Sequence, residues 1–330
     1  MGTGVRRRAY EVEDRHTVLD LIESLAGFDV VTIDVDNTLI PDRASAGFLA
    51  AMTDTAHRVA AEAGVGRLVI VSNAARDRSI GAGIVWQVNK PFTRRSRLGI
   101  RPQDSVAVIG DRIGVDGLLA WRWRATLLLR PWDPRRSMPA SRMLRRAADL
   151  IARRCFATRP LPDSEGRNPR RWLVRMERPA NIGPAAPVPG VRIALWNPSR
   201  HDMIPEIYGR AFGADPWPAD WNRFDGFDER GVFVAETESN EAVGFAICLR
   251  RDGTGYISVV AVVPRWRRRG VASALVTTAA GYLRQLGLER VRIDAYLDAR
   301  AAVDTYRALG FEVLEVVADP DADPRGTAEE

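Results

Sequence analysis

Lysine is almost absent from this chain. Of 48 Lys+Arg in 330 residues, Lys90 is the single lysine. Solvent-facing cations are arginine throughout, so the one position that keeps a compact ammonium is a functional candidate, because a planar guanidinium fork cannot replace it without changing the geometry. Cysteine is nearly as scarce. Cys155 and Cys248 are isolated, with no C-x-x-C spacing, which excludes a zinc site or a disulfide framework as an organising feature. His16, His57 and His201 are scattered and have no ligand-type partners beside them, so structural or surface roles are expected for them. No apolar run approaches the ~18 residues that cross a bilayer. The start, Met1–Arg8, has basic residues but no apolar segment behind them, so no secretion signal is expected and the cytoplasm is the expected compartment.

At 330 residues with 46% hydrophobic content, two domains with separate cores are expected. The net charge is +6, but it is unevenly spread. Between Pro134 and Pro179 thirteen Arg face four carboxylates, which leaves the remainder slightly acidic. Such a segment fits a solvated linker, and it could also meet an anionic membrane surface or an acidic carrier protein. Nucleic acid is disfavoured, because aromatics for base stacking are sparse there.

The chain is organised around Val30-Val31-Thr32-Ile33-Asp34-Val35-Asp36-Asn37-Thr38-Leu39. A β-branched apolar run that ends in two acids reads as a buried parallel strand, and ligands bind at the carboxyl ends of such strands. Side chains two apart project the same way, so Asp34 and Asp36 can converge on one cation or one phosphorus. Only turn-forming acids would also fit this decapeptide taken alone. Its partners follow in order. Val69–Val71 is a second strand ending in Ser72-Asn73, whose side chains can donate to phosphate oxygens. Lys90 comes after the short apolar stretch Ile84–Val88, and Val106–Gly110 is a strand that leads into Asp111 and then Asp116.

These four motifs, D-x-D-x-T, Ser-Asn, Lys-Pro and G-D-x-x-x-x-D, resemble those of the HAD phosphohydrolase superfamily, closest to the YqeG-like subgroup IIIA. The resemblance implies a Rossmann-like parallel sheet and a phosphatase. It makes Asp34 a carboxylate nucleophile, Asp36 a general acid–base and Lys90 the cation that bridges nucleophile and phosphate. Ser72 and Asn73 would bind the substrate phosphate, and Asp34, Asp36, Asp111 and Asp116 would hold Mg²⁺. About 30 residues separate the first two motifs, little more than one crossover helix needs, so no large cap is expected over the site. That openness suits a small-molecule or carrier-bound phosphate ester. The chain departs from its subgroup at Ala120-Trp121-Arg122-Trp123-Arg124, where bulky residues would narrow the site, bind something flat and anionic, or simply pack.

Thr17–Leu25 and Ala44–Glu62 read as helices, and Ser141–Cys155 as a basic helix closing the first domain. Arg159–Gly190 lacks periodicity and is rich in Pro, Arg and Gly, a linker by composition. Strand-like runs follow at Gly231–Glu236, Ala242–Arg250 and Tyr256–Pro264, two of them joined through the hairpin signal Asp252-Gly253. The next loop, Arg265-Trp266-Arg267-Arg268-Arg269-Gly270, opens into a helix beginning Val271-Ala272, a natural cradle for a pyrophosphate. Arg267, Gly270 and Ala272 match R-x-x-G-x-A, and Tyr306–Phe311 matches Y-x-x-x-G-F. The resemblance is to GNAT acyltransferases over about residues 191–318.

That second resemblance implies an α+β domain with a mixed central sheet, acetyl-CoA or another acyl-CoA as cosubstrate, and an amine acceptor. It places the cosubstrate at Arg267, Arg268, Arg269, Gly270, Val271 and Ala272, with backbone pairing to the pantetheine arm at Val260 and Val262. Tyr306 would protonate the departing thiolate. Glu236 and Asp294 are candidate bases, and the aromatic segment Trp217–Phe227 a candidate acceptor wall.

The expected organisation is a phosphatase domain at 1–156, a basic linker at 157–190, an acyltransferase domain at 191–318 and an acidic tail at 319–330. The expected function is bifunctional, phosphomonoester hydrolysis together with N-acyl transfer. Two alternatives stay open: only one domain catalyses and the other binds or regulates, or the chain is an FkbH-like enzyme that loads an acyl group onto a carrier protein.

Overall fold

The computed structural model describes residues 7–11, 16–41, 44–73, 83–90, 92–130, 132, 156–160, 171–213, 217, 221–223 and 225–320. The helix expected over Ser141–Cys155, most of the basic segment and nearly all of the expected tail lie outside them. None of the helices among these residues is long and apolar enough to cross a membrane. The chain divides into two compact units, residues 1–172 with 315–330, and residues 173–314.

The first unit is built on a seven-stranded parallel sheet. Its strands are β1 (Arg7–Glu11), β2 (Val30–Asp34), β3 (Leu68–Val71), β4 (Ile84–Val85), β5 (Val106–Gly110), β6 (Thr126–Leu129) and β7 (Phe156–Pro160), in the order β4-β3-β2-β5-β6-β1-β7. The order reverses at β2, whose neighbours are β3 on one side and β5 on the other. A crevice therefore opens between the carboxyl ends of β2 and β5, the place where such sheets bind ligands.

Val30, Val31 and Ile33 are buried, as a strand covered on both faces requires. Helix α1 (Val18–Glu23) begins in a capping box between Thr17 and Asp20. Helix α2 (Ala46–Glu62) is capped by Ser45 and buries Phe48, Leu49, Met52, Ala56 and Val59 along one stripe. A second buried cluster includes Val69, Val71, Val106 and Val108 together with Leu119 and Trp123 of helix α3 (Leu118–Trp123). Trp123 from the bulky departure segment is thus core, with its indole N–H on the Thr93 carbonyl at 3.0 Å, whereas Trp121 is 44% exposed.

The second sheet is mixed and seven-stranded, and all of it but Trp172 and residues 315–318 falls in the second unit. Its strands are β8 (Trp172–Pro179), β9 (Val191–Leu195), β10 (Phe227–Thr237), β11 (Ala242–Arg251), β12 (Thr254–Val262), β13 (Arg290–Tyr296) and β14 (Glu312–Ala318), in the order β14-β8-β13-β12-β11-β10-β9. Helix α4 (Met203–Phe212) lies against β11 and β12, α5 (Val271–Gln285) crosses from β12 to the parallel β13, and α6 (Arg300–Ala308) packs on β13. Asp252 and Gly253 both take positive φ, 48° and 71°, as the expected two-residue hairpin needs.

The expected linker at 157–190 requires correction. Its residues 172–179 form β8, which pairs antiparallel with β13 and sits between β13 and β14. Trp172, Val174 and Met176 are buried on one face of that strand. The alternation is present in the sequence but is obscured by its arginines. The residues of the second sheet therefore begin at Trp172 rather than at 191.

Candidate functional site

At the carboxyl edge of the first sheet the four sequence motifs meet. Lys90 Nζ lies 2.7 Å from Asp34 Oδ2 and 2.9 Å from Asp116 Oδ1, and its side chain is buried. Asn73 fixes the segment that carries it, accepting from the Lys90 N–H at 2.7 Å and donating to the Lys90 carbonyl at 3.3 Å. Ser72 is buried and donates to Asp36 Oδ2 at 3.0 Å. The polar atoms of Ser72 and Asn73 are thus engaged in orienting Asp36 and Lys90.

Asp116 reaches the site through local geometry that the sequence does not announce. Residues Ile113–Gly117 form a π-turn, and the Arg112 carbonyl accepts from the amides of Val115, Asp116 and Gly117 at 3.1, 2.7 and 3.4 Å. Such widened turns occur often at functional sites. Asp116 is 1% exposed, with one oxygen on Lys90 and the other accepting from the Arg112 N–H at 3.2 Å. Gly110 makes the approach possible, since a Cβ there would stand 2.3 Å from Asp116 Cγ. Gly110→Ala is therefore expected to expel Asp116 from its seat and cost about 1–3 kcal/mol. Thermal unfolding of the first unit checks this, and an unchanged midpoint would contradict the packing argument.

Carboxylate oxygens of Asp34, Asp111 and Asp116 lie within 4.8 Å of one another, a group that could hold a cation. Asp36 is outside that group, its carboxylate set against Ser72 instead. Asn37, which the sequence argument passed over, takes φ 56° and donates from Nδ2 to Asp111 Oδ2 at 3.0 Å. Thr38 is 2% exposed and its hydroxyl has no partner among the described residues. A hard-oxygen donor set with a spare buried hydroxyl fits Mg²⁺ and a bound anion. Lys90 engages one oxygen each of Asp34 and Asp116, whereas Asp111 accepts from Asn37 and forms no ion pair with Lys90.

Burial dominates the electrostatics of this cluster. Burial, with Asp116 beside it, pushes the Asp34 carboxyl up to about 7 despite Lys90. Burial also raises Asp111, against the hydrogen bond from Asn37. Burial alone would lower the Lys90 ammonium, but Asp116 and Asp34 outweigh it and hold Lys90 above its ordinary value.

In the second unit, β12 and β13 pair only at Gly255–Ile257 with Val291–Ile293, after which the two strands run on without pairing to each other. The cause lies on the other edge of β12. A register shift against β11 between Ile247 and Cys248 leaves Ser258 as an extra residue, and such a bulge bends and twists its strand. Val260 and Val262 pair with Ala246 and Gly244 on β11, leaving the opposite edge of the strand facing the opening. Asp294 stands on β13 just past the last pair and accepts from the Tyr256 hydroxyl at 2.9 Å.

The loop after β12 turns through Arg268 and Gly270, with φ of 65° and 87°, and Gly270 caps α5. Alternating left-handed residues turn successive amides to one side, and the first-turn amides of α5 continue that surface. Arg267 does not add a free charge there. Its guanidinium donates to the carbonyls of Val262 at 3.1 Å and Ala211 at 2.5 Å, tying the loop to the end of α4. Arg269 stacks over Trp266. Tyr306 is buried near Phe311, and burial pushes its phenol well above the ordinary value.

Two sequence expectations weaken here. Both oxygens of Glu236 accept from guanidinium groups, Arg192 at 2.9 Å and Arg200 at 2.8 Å, so this carboxylate is an ion-pair centre and a poor base. In the aromatic segment Trp221 is fully buried among Trp196, Trp217 and Phe227, which makes it core and not a pocket wall.

Comparison with known proteins bears on this second site. The acetyltransferase (GNAT) family model matches residues 200–311. The mycothiol acetyltransferase of Mycolicibacterium smegmatis is 32% identical over 163 residues, 45% of this chain and 55% of that protein. The mycothiol acetyltransferase of Thermobispora bispora is 34% identical over 161 residues, 43% of this chain and 54% of that protein. The chain thus spans about half the length of the curated relatives it matches. A solved GCN5-related N-acetyltransferase from Sphaerobacter thermophilus, 22% identical, covers 56% of this chain and 68% of that chain with a TM-score of 0.39, too loose a likeness to bear on activity. Residues 200–311 are a domain of the GNAT acetyltransferase family.

Proposed function

We propose that the second unit transfers an acetyl group from acetyl-CoA to an amine. The observation that carries this reading is the parting of β12 from β13 beside a loop of inward-turned amides. The pantetheine arm would lie in the opening and pair with the backbone edge at Val260 and Val262, where the Val262 carbonyl already accepts from Arg267, as an added strand does. The pyrophosphate would sit over the amides of Arg268 to Ala272, with Arg268 and Arg269 supplying charge and Arg267 holding the loop in shape. An acceptor amine attacks the thioester carbonyl as its free base, the C–S bond breaks, and the departing thiolate takes the Tyr306 proton; the acylated nitrogen sheds its extra proton to water, from which the phenol is reprotonated.

The test is acetyl-CoA-dependent thiol release with a panel of amines. Arg267→Ala is expected to raise KM for acetyl-CoA about tenfold with kcat little changed, because two charge-assisted hydrogen bonds to backbone are lost remote from the reacting atoms. Thiol release with none of the amines would overturn the reading.

A second activity is favoured by a separate observation, the lysine ammonium wedged between Asp34 and Asp116. The first unit is read as a phosphomonoesterase. Asp34 attacks phosphorus and forms an aspartyl phosphate, while Asp36, oriented by Ser72, gives its proton to the leaving oxygen. Asp36 then takes a proton from the water that cleaves the acyl phosphate, which returns Asp34 free. Lys90 offsets the charge of the two carboxylates it touches. Mg²⁺, held by Asp34 and Asp111, would supply the remaining positive charge that a phosphate dianion requires. Phosphate release that needs both Mg²⁺ and Asp34 tests this reading.

A further inference from the structure

A cavity of about 350 Å³ opens just beyond Lys90, lined by Asn89, Phe92, Thr93, Arg94, Ser96 and Arg97. Its floor is fixed. The Thr93 hydroxyl donates to the Val88 carbonyl, and the Thr93 carbonyl accepts from the buried Trp123 indole. Arg95 is part of that scaffold, since its guanidinium is spent on the carbonyls of Arg101, Pro102, Asp104 and Trp123. Arg94 and Arg97 are different. Both are exposed, and neither guanidinium has a hydrogen-bond or ion-pair partner among the described residues. Phe92 stands with them at 67% exposed, the highest value among the large apolar side chains described.

Unpaired arginines are ordinary on an arginine-rich surface, and a solvated patch needs no ligand. Two of them converging on one cavity with an exposed phenyl ring, on a pinned loop, is a recognition arrangement. Guanidinium forks match phosphate or carboxylate in bidentate fashion, and the ring offers a face for a flat or apolar body. Arg94 lies four positions after Lys90, which places their Cα atoms at most ~14 Å apart.

We propose that this cavity is an anion subsite for the phosphate-ester substrate, which would carry a second negative group, a phosphate or carboxylate, on a body that lies against Phe92. The inference rests on the phosphatase reading of the first unit. It narrows the substrate class to esters with two anionic ends within reach of one another, and it assigns end-recognition to residues outside the catalytic set.

Matched esters test it. Phenyl phosphate has one anionic end; 4-carboxyphenyl phosphate and the longer 4′-carboxybiphenyl-4-yl phosphate have two. At least one carboxylated ester should exceed phenyl phosphate in kcat/KM by about tenfold, the worth of one charge-assisted hydrogen bond. Arg94→Ala/Arg97→Ala should bring that ratio to about one and leave phenyl phosphate hydrolysis unchanged. Equal ratios in wild type and double variant for both carboxylated esters would overturn the subsite.

Calorimetric binding of the non-hydrolysable 4-carboxyphenylphosphonate separates the two readings. Hydrolysis of no ester, with phosphonate binding that the double variant loses, would sink the phosphatase while supporting the subsite. Phosphonate binding that the double variant retains would sink the subsite whatever the activity.

Discussion

On the proposed phosphatase reading, Asp34→Asn is expected to lower phosphate release from an aryl phosphate by about four orders of magnitude or more, the scale set by removing a catalytic nucleophile, and to leave the acetyl transfer proposed for the second unit unchanged. The variant should nevertheless gain stability. The Asp34 carboxyl is pushed from 3.8 to about 7, first by burial and then by Asp116, so folding disfavours its ionised form. The sign follows directly. In the metal-free protein the unfolded chain ionises Asp34 near pH 4 and the folded chain only near 7, so stability falls as pH rises across that window and levels off above it. An amide does not ionise and escapes the loss. In EDTA at pH 8 the variant should be more stable by about 2–4 kcal/mol. Denaturant midpoints at pH 5 and pH 8 measure it. Parallel pH profiles would mean that Lys90 neutralises Asp34 fully. Added Mg²⁺ should narrow the gap, since the cation favours the ionised wild type.

Lys90→Met carries the second large effect, and here activity and stability fall together. The ammonium is buried between two carboxylates at 2.7 and 2.9 Å. Removing one partner of a buried ionic cluster strands the others, typically a loss of about 3–5 kcal/mol. With the cation gone, Asp34, Asp111 and Asp116 repel one another, and acid should restore part of the lost stability by protonating Asp34 and Asp111, which burial already raises. Lys90→Arg keeps the charge but not the compact shape, so it should recover some stability and little phosphatase activity. If Lys90→Arg were fully active, the case for a lysine retained in an otherwise lysine-free chain would collapse.

How much of this was legible beforehand depends on how local its cause is. The carboxyl ends of β2, β3 and β5 were readable because buried parallel strands spell unbroken apolar runs, and each run here stops at a chemically marked residue. Gly270 and the Asp252-Gly253 turn were readable because positive φ has few residue solutions. β1, with Arg7, Arg8 and Glu11, carries no such run, and its place between β6 and β7 is fixed by pairing with distant strands. The role of Asn37 was hidden for a related reason, since its hydrogen bond spans 74 residues to Asp111. A signal did exist for Gly110, as the residue before Asp111 must yield space to Asp116. Nothing in the local sequence marks Ser258 as the extra residue that opens β12 from β13, because a bulge is a mismatch between two strands.

Strand β8 has a bearing on how the polypeptide is made. It precedes its neighbour β13 by 111 residues, from Pro179 to Arg290, yet it fills an interior slot of the finished sheet. On a ribosome adding about 5–20 residues per second, that is a wait of roughly 5–20 s. Throughout it, Val174 and Met176 have no sheet to cover them. Docking of β8 is therefore a late, long-range closure, and the nascent second unit passes through a stage with an apolar strand and an unfilled groove, a natural substrate for holdase chaperones. A gene fragment opening at residue 191 would freeze that stage, leaving β13 and β14 without the strand that joins them.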